Sequence, residues 1–320
     1  MKILLICDRE NWAYDAIAKA LIKFNTNGDL EFDIFYLKGN EKKLKGLNSQ
    51  YDLFFFLGWQ LILERKNFLF KLYYKKRFAY IDDKKILTGI HSHHSWDNKE
   101  TQPNKDVNPP KELILALSKF RAVNAVSNKL TRLFKQKGLT NITYTANGID
   151  SNLFNDKIQI PLKKDKLIVG FSGNKKHDWR KGISEFIEPL EKKFEWCELK
   201  LAMPQGDYIP LNEMPSFYNK IDLYVCASSS EGFSLSVLEA SSCGRPVIST
   251  IVGGSEDLIE EGENGFLVNR NFDDIAEKVD FLFNNKQKLT EMGKKNRKKI
   301  VEEYDWSIRV LDWYDFIKKV

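Results

Sequence analysis

Short apolar runs alternate with amphipathic stretches along most of this chain. Lys2–Cys7 (KILLIC) is apolar from Ile3 onward and meets charge at Asp8, the pattern of a strand buried on both faces of a parallel sheet. Trp12–Phe24 then carries apolar residues at helical spacing, through Ile17, Ala20, Leu21 and Phe24. Phe32–Leu37, Tyr51–Leu57 (YDLFFFL), Ile86–His91 (ILTGIH) and Ala122–Ser127 (AVNAVS) read as further strands. The alternation restarts at Leu167–Ser172 (LIVGFS) and continues through Leu199–Met203, Leu223–Ala227 and Pro246–Thr250. Strands separated by helical stretches imply βαβ crossovers and parallel sheets, so the pattern predicts an α/β chain built of two consecutive halves. After Phe272 the chain reads as helix to its end, and Ser307–Val320 is amphipathic.

A length of 320 residues also favours two domains, because single cores stop growing at roughly 250–300 residues. The weakest join lies near Asp156–Lys166, where Pro161 sits among charges. We expect a first domain at residues 1–160, a second at 161–303, and a C-terminal helix at 304–320. Glu64–Phe78 (ERKNFLFKLYYKKRF) combines six cations with five aromatics and reads as a helix. It suits either packing on the first sheet, with its lysines in water, or contact with an anionic membrane surface. No nucleic-acid motif accompanies it.

Hydrophobic residues at 42% and charged residues at 29% exclude a disordered chain. No apolar run approaches the ~18 residues of a membrane-spanning helix, and the N-terminus lacks a signal-peptide pattern, so a cytoplasmic location is expected. The four cysteines form no CxxC pair, which favours buried thiols over a disulfide framework or zinc cluster. The net charge of +6 is concentrated in the first half, which suggests different partners for the two halves.

Ser228–Gly244 (SSSEGFSLSVLEASSCG) carries the chemistry. It places Glu231 and Gly232 in a loop before a helix that starts near Ser234, with Glu239 about 7.5 Å along that helix. A helix start exposes unpaired N–H groups and the positive end of the dipole, a ready anion site. Gly232 leaves room for a ligand, and Ser234 and Ser236 add hydroxyls. Two carboxylates flanking an anion site match the shape of a nucleotide-sugar, with sugar hydroxyls on either side of a diphosphate. The same spacing also fits an ordinary capped helix with solvated glutamates.

The run from Glu231 to Ala240, with Gly244–Ile248, Val252–Gly254 and Gly262–Val268, closely resembles the Glu-x7-Glu region of retaining family 4 glycosyltransferases of the GT-B fold. Ser127, Asn147–Asp150, Phe154, Tyr218, Asp222–Ser228 and Tyr304–Trp306 resemble further segments of that family in the right order. The resemblance covers most of residues 86–320. It implies two Rossmann-like domains facing across a cleft, with the last helix crossing back to the first. It also implies that Glu231 contacts hydroxyls of the transferred sugar. Backbone groups of Phe233, Ser234, Leu235 and Ser236 would hold sugar and diphosphate, and Glu239 would bind the ribose.

The family uses an Arg and a Lys from the loop after the first strand of the second domain to neutralise the leaving diphosphate. Lys181 matches the Lys, whereas Asn174 stands at the usual Arg position, so Lys175, Lys176 or Arg180 would supply that charge. His91 matches the family histidine beside the donor sugar; His93 and His94 are expected on the acceptor side, and the cluster lacks metal-site spacing. The first loop, Asp8–Tyr14, departs from the family in having no glycine; Asn11 and Trp12 are its candidate acceptor contacts, with Trp12 equally suited to a core. The implied reaction is metal-independent transfer of a hexosyl-type sugar, with retention, from a nucleoside-diphosphate sugar to a hydroxyl of a glycan, glycolipid or polysaccharide precursor. No cofactor is expected. The alternatives are a nucleotide-sugar 2-epimerase of the same architecture and a catalytically silent sugar-nucleotide-binding subunit. A dinucleotide oxidoreductase is disfavoured because no GxGxxG follows the first strand.

Overall fold

The computed structural model describes residues 1–320 except 27, 69–70, 93–95, 97–106, 158–164, 204–208 and 320. It divides into two compact units: the described residues of 1–147 together with 309–319, and those of 148–308.

The first unit contains β1 (Lys2–Cys7), β2 (Glu31–Tyr36), β3 (Leu53–Phe56), a hairpin of β4 (Leu63–Phe68) and β5 (Lys71–Lys76), β6 (Ile86–Ile90), β7 (Ala122–Ala125) and β8 (Ile142–Tyr144). Its main sheet has the order β2-β1-β3-β6-β7-β8 and is parallel throughout. Because helices cover both faces of such a sheet, every residue of β3 is buried, including three consecutive phenylalanines. The last helix, Trp306–Lys318, completes this core. Trp313 and Phe316 pack 6.0 and 5.6 Å from the Phe55 ring, Trp313 Nε1 donates to the Ala146 carbonyl at 2.8 Å, and Tyr314 OH donates to Leu21 O at 2.8 Å.

The second unit holds β9 (Leu167–Ser172), β10 (Cys197–Ala202), β11 (Leu223–Cys226), β12 (Val247–Thr250) and β13 (Gly265–Val268) in a parallel sheet of order β10-β9-β11-β12-β13. Val169, Phe171, Leu223, Val225 and Ile248 form its core with Ile183, Ile187, Ile275 and Val279 of the covering helices. All four cysteines are free and buried.

Two sequence expectations are corrected. Residues 64–78 do not form a helix: Leu63–Phe68 and Lys71–Lys76 pair antiparallel, with Lys66 opposite Tyr73 and Arg65 opposite Tyr74. The reason is a period of two. Leu72, Tyr74, Lys76 and Phe78 are covered while Tyr73, Lys75 and Arg77 are exposed, and aromatic residues favour a strand that packs on one face. The division between units also falls at 147/148 and 308/309 rather than at 160 and 303. Ile149 pairs with Asp305, Ser242 Oγ donates to Phe154 O at 2.6 Å, and Asn219 Nδ2 donates to Asn155 O at 2.8 Å, so this stretch is fastened to the second unit well before the basic segment. The proposed Pro161 linker lies largely outside the described residues.

Candidate functional site

In the second sheet β10 lies on one side of β9 and β11 on the other. The chain order therefore reverses between β9 and β11, and open α/β sheets bind ligands at the carboxyl ends of strands at such a point. The loop after β9 is Gly173–Gly182, and the loop after β11 is Ala227–Ser234.

The first loop is fixed by its own short side chains. Asn174 Oδ1 accepts from Lys176 N at 2.9 Å, and Asp178 Oδ1 accepts from Ser184 N at 2.9 Å. A short helix, Asp178–Lys181, ends at Gly182 in the left-handed conformation, φ 67°. A β-carbon there would also meet the Phe186 ring at 2.5 Å and Ala227 O at 2.9 Å, so the close approach requires glycine. Arg270 ties the loops together by donating to Ala227 O at 3.0 Å and Trp179 O at 3.1 Å. Ser229 N donates to Arg180 O at 2.7 Å.

This scaffold turns Arg180 and Lys181 onto one acceptor. Lys181 Nζ lies 2.6 Å and Arg180 Nη1 2.9 Å from Glu231 Oε1, and Arg180 also donates to Ser230 O at 2.9 Å. The Glu231 side chain is only 14% exposed. Burial alone would push its carboxyl up, but Lys181 and then Arg180 reverse that and hold it at about 2. Of the three candidates Lys175, Lys176 and Arg180, Arg180 is the one whose ion pair with Glu231 places it beside Lys181, while Lys175 reaches Glu188 at 3.1 Å.

The helix Leu235–Ser242 begins four residues after Glu231, with Ser234 at its cap. Ser234 Oγ and Ser236 Oγ are 3.0 Å apart, and Val237 N and Leu238 N donate to Ser234 O at 3.2 and 3.3 Å, so the amides the helix start can offer a ligand are those ahead of Val237. The preceding loop is pressed against Val252–Gly254. Gly254 N donates to Gly232 O at 2.9 Å, and β-carbons at Gly253 and Gly254 would lie 2.1 Å from Gly232 O and from the Phe233 ring. Phe233 itself is buried edge-on against Tyr304, leaving its backbone as the part able to face a ligand.

Glu239 borders a cavity of about 410 Å³ within this unit. Its floor carries Ser172 and Asn174, and Met203, Ile209, Leu211 and Met214 make an apolar wall. Burial raises the Glu239 carboxyl to about 7, opposed by the Tyr218 hydroxyl, which donates to Oε2 at 2.6 Å. Tyr218 OH also meets Ser172 Oγ at 2.9 Å. Met203 lines the cavity, and residues 204–208 after it lie outside the described residues. Sequence reasoning matched Tyr218 to a family segment without giving it a role, and it assigned none to Arg270, Ile209, Leu211 or Met214, which reach the site from other stretches of the chain.

In the first unit the switch point lies between β1 and β3. Asn11, in the loop after β1, adopts φ 59°, a left-handed conformation that asparagine tolerates better than most residues. Its amide donates to Asp15 Oδ2 at 2.8 Å. Asparagine thus makes the turn in a loop without glycine. Trp12 is not a core residue: it is 53% exposed, with the Arg9 guanidinium 3.3 Å over its ring. His91 follows β6, partly buried, edge-on to Tyr14 at 5.2 Å and 6.3 Å from Trp313. Burial lowers its pKa to about 3. His93 and His94 lie outside the described residues. Among the described residues, no group of three His, Cys, Asp or Glu side chains could hold a metal ion, and no helix is long and apolar enough to cross a membrane.

Residues 168–299 match the family described as Glycosyl transferases group 1. The chain is 27% identical over 226 residues to the capsular polysaccharide biosynthesis glycosyltransferase CapM of Staphylococcus aureus, covering 61% of this chain and 58% of that protein. It is 35% identical over 126 residues to the O-antigen biosynthesis glycosyltransferase WbnH of Escherichia coli, covering 38% and 34%. The aligned stretches thus span less than two thirds of either relative. Among solved structures, the chain is similar to Anabaena HepE in complex with UDP-glucose (TM-score 0.73, 15% identity, 100% of both chains). It is also similar to a sucrose-phosphate synthase from Thermosynechococcus elongatus (TM-score 0.72, 17% identity, 99% and 98% covered). At these identities the likeness carries the fold, which is GT-B: two α/β units, each with a parallel sheet.

Proposed function

We propose that this chain is a retaining glycosyltransferase of family 4 that moves a hexosyl-type sugar from a nucleoside-diphosphate sugar to an acceptor hydroxyl without a metal. The observation that carries this reading is the convergence of Lys181 and Arg180 on Glu231 beside the start of the helix Leu235–Ser242. Two cations and a row of first-turn amides suit a diphosphate, and they stabilise negative charge as it develops on the leaving group. Glu231 is then free to accept hydroxyls of the transferred sugar, Glu239 accepts those of the ribose, and the apolar wall beside it takes the base. The departing phosphate takes the acceptor proton on the same face, so no protein nucleophile is required. His91, Asn11 and Trp12 are the first unit's proposed contacts with sugar and acceptor.

HepE, similar in fold, holds UDP-glucose, which makes uridine nucleotides the first donors to screen. CapM and WbnH serve capsular and O-antigen synthesis, which supports a glycan or lipid-linked acceptor. Arg180 supplies the second cation that Asn174 does not, which argues against a silent binding subunit. The reading keeps the chain cytoplasmic, with a peripheral contact to anionic membrane through the exposed Tyr73, Lys75 and Arg77 of the β4–β5 hairpin and its following residue. A thermal-shift panel of nucleoside diphosphates and their sugars, followed by product analysis with acceptor glycans, tests it. Transfer with retained anomeric configuration supports the reading. Conversion of the donor alone to its 2-epimer would assign the chain to the isomerase instead.

A further inference from the structure

Strands β6 and β7 lie side by side with Gly89 opposite Asn124. Asn124 is fully buried, the polar member of an otherwise apolar strand. Its Nδ2 donates to Thr145 Oγ1 at 2.7 Å, whereas its Oδ1 has no partner. His91 Nε2 is likewise buried without a partner. Both atoms crowd one point above Gly89, where a methyl group would lie 2.5 Å from Nε2, 2.8 Å from the Leu57 carbonyl oxygen and 2.9 Å from Oδ1. Glycine keeps that space open. Buried polar atoms in folded chains are almost always hydrogen-bonded, and here an unpartnered imidazole nitrogen and an unpartnered side-chain acceptor stand around the same point.

We infer that Asn124 is a positioning residue for His91: its amide oxygen takes the Nε2–H through a small closing rotation and fixes the ring as the Nε2–H tautomer. With Nδ2 bonded to Thr145 Oγ1, the amide oxygen is the end left on the side of the ring. Nδ1 then carries the lone pair. His91 therefore meets a substrate as an acceptor for a hydroxyl and not as a proton donor to phosphate. Burial that holds the imidazole neutral down to about 3 agrees with that role, and the rings packed against it, Tyr14 and Trp313, bring no charge. The substrate-facing role rests on the function proposed above, but the pairing itself does not.

Histidine-specific ¹⁵N labelling of the full chain and long-range ¹H–¹⁵N correlation test it, with His91→Gln to assign the signal. The wild type should show one Nε2–H tautomer with no titration between about pH 5 and 8. Asn124→Asp, nearly isosteric, places a carboxylate at Nε2 and should raise the His91 titration into that window. Asn124→Ala should mix the tautomers and lower kcat on the order of tenfold at nearly unchanged KM. An Nδ1–H tautomer in the wild type, or a His91 signal unmoved by both substitutions, overturns the pairing. An unchanged kcat in Asn124→Ala overturns the positioning role. The expected tautomers in a chain that turns over no nucleotide-sugar support the pairing and count against glycosyl transfer.

Discussion

Lys181 Nζ lies 2.6 Å from Glu231 Oε1, and both side chains are largely withdrawn from water. The pair is neutralised within its own loops, so an incoming diphosphate competes with a carboxylate for the same cations. Under the proposed function, removing the lysine costs the leaving group a charge partner in a low-dielectric site. Lys181→Ala should lower turnover by about 100-fold or more, measured as product formed per enzyme at saturating donor.

Glu231→Gln separates binding from chemistry. It releases Lys181 and Arg180 to the diphosphate, so calorimetry should find nucleoside diphosphate bound as tightly as by the wild type or more tightly. Sugar transfer should be lost. Weaker nucleotide binding with transfer intact would contradict the assigned roles.

If Glu239 holds the ribose as proposed, its carboxyl, raised to about 7, should give nucleotide binding a pH dependence. An ionised carboxylate accepts two ribose hydroxyls and a neutral one does not, so affinity should be full above about 7 and weaken as pH falls below it. Tyr218→Phe removes the donor that favours the ionised form and should move that midpoint upward. Stability of the unliganded chain has the opposite sign. A carboxyl raised by folding contributes stability in its neutral form, which is lost as pH rises from the ordinary carboxylate range through about 7. Calorimetric titrations at several pH values read the first effect, and thermal unfolding reads the second.

Trp313→Ala should destabilise the first unit by about 3–5 kcal/mol, because it empties a fully buried site and leaves the Ala146 carbonyl without its donor. Denaturant unfolding followed by far-UV circular dichroism checks this.

The β4–β5 hairpin presents Tyr73, 42% exposed, near Lys75. Liposomes with acidic lipid should sediment the chain and neutral liposomes should not, with binding weakened by salt. Equal recovery in the supernatant in both cases contradicts the membrane contact.

The sheet strands were legible wherever they form apolar runs buried on both faces, as in KILLIC and LIVGFS. β8 was not: Ile142–Tyr144 is three residues long, with one of them buried. The hairpin was misread because its cations and aromatics were weighed as composition, while their alternation is what sets the fold. Glu231 and Glu239 lie in a motif with fixed spacing, and Lys181 matches the family by its place in the loop after the second unit's first strand, so all three could be named as candidates from sequence. Which second cation turns toward Glu231 depends on the direction of the short helix Asp178–Lys181 and on Arg270, 90 positions from Arg180, and no local pattern encodes that. The unit boundary at 147/148 depends in the same way on a pairing between Ile149 and Asp305.

The most direct measurement is a crystal structure of the chain soaked with the nucleoside diphosphate that best raises its melting temperature. The account predicts both phosphates at the start of the helix Leu235–Ser242, within hydrogen-bond reach of Lys181, Arg180 and the first-turn amides, with the ribose on Glu239. A diphosphate bound elsewhere, with Lys181 and Arg180 still on Glu231, would contradict it.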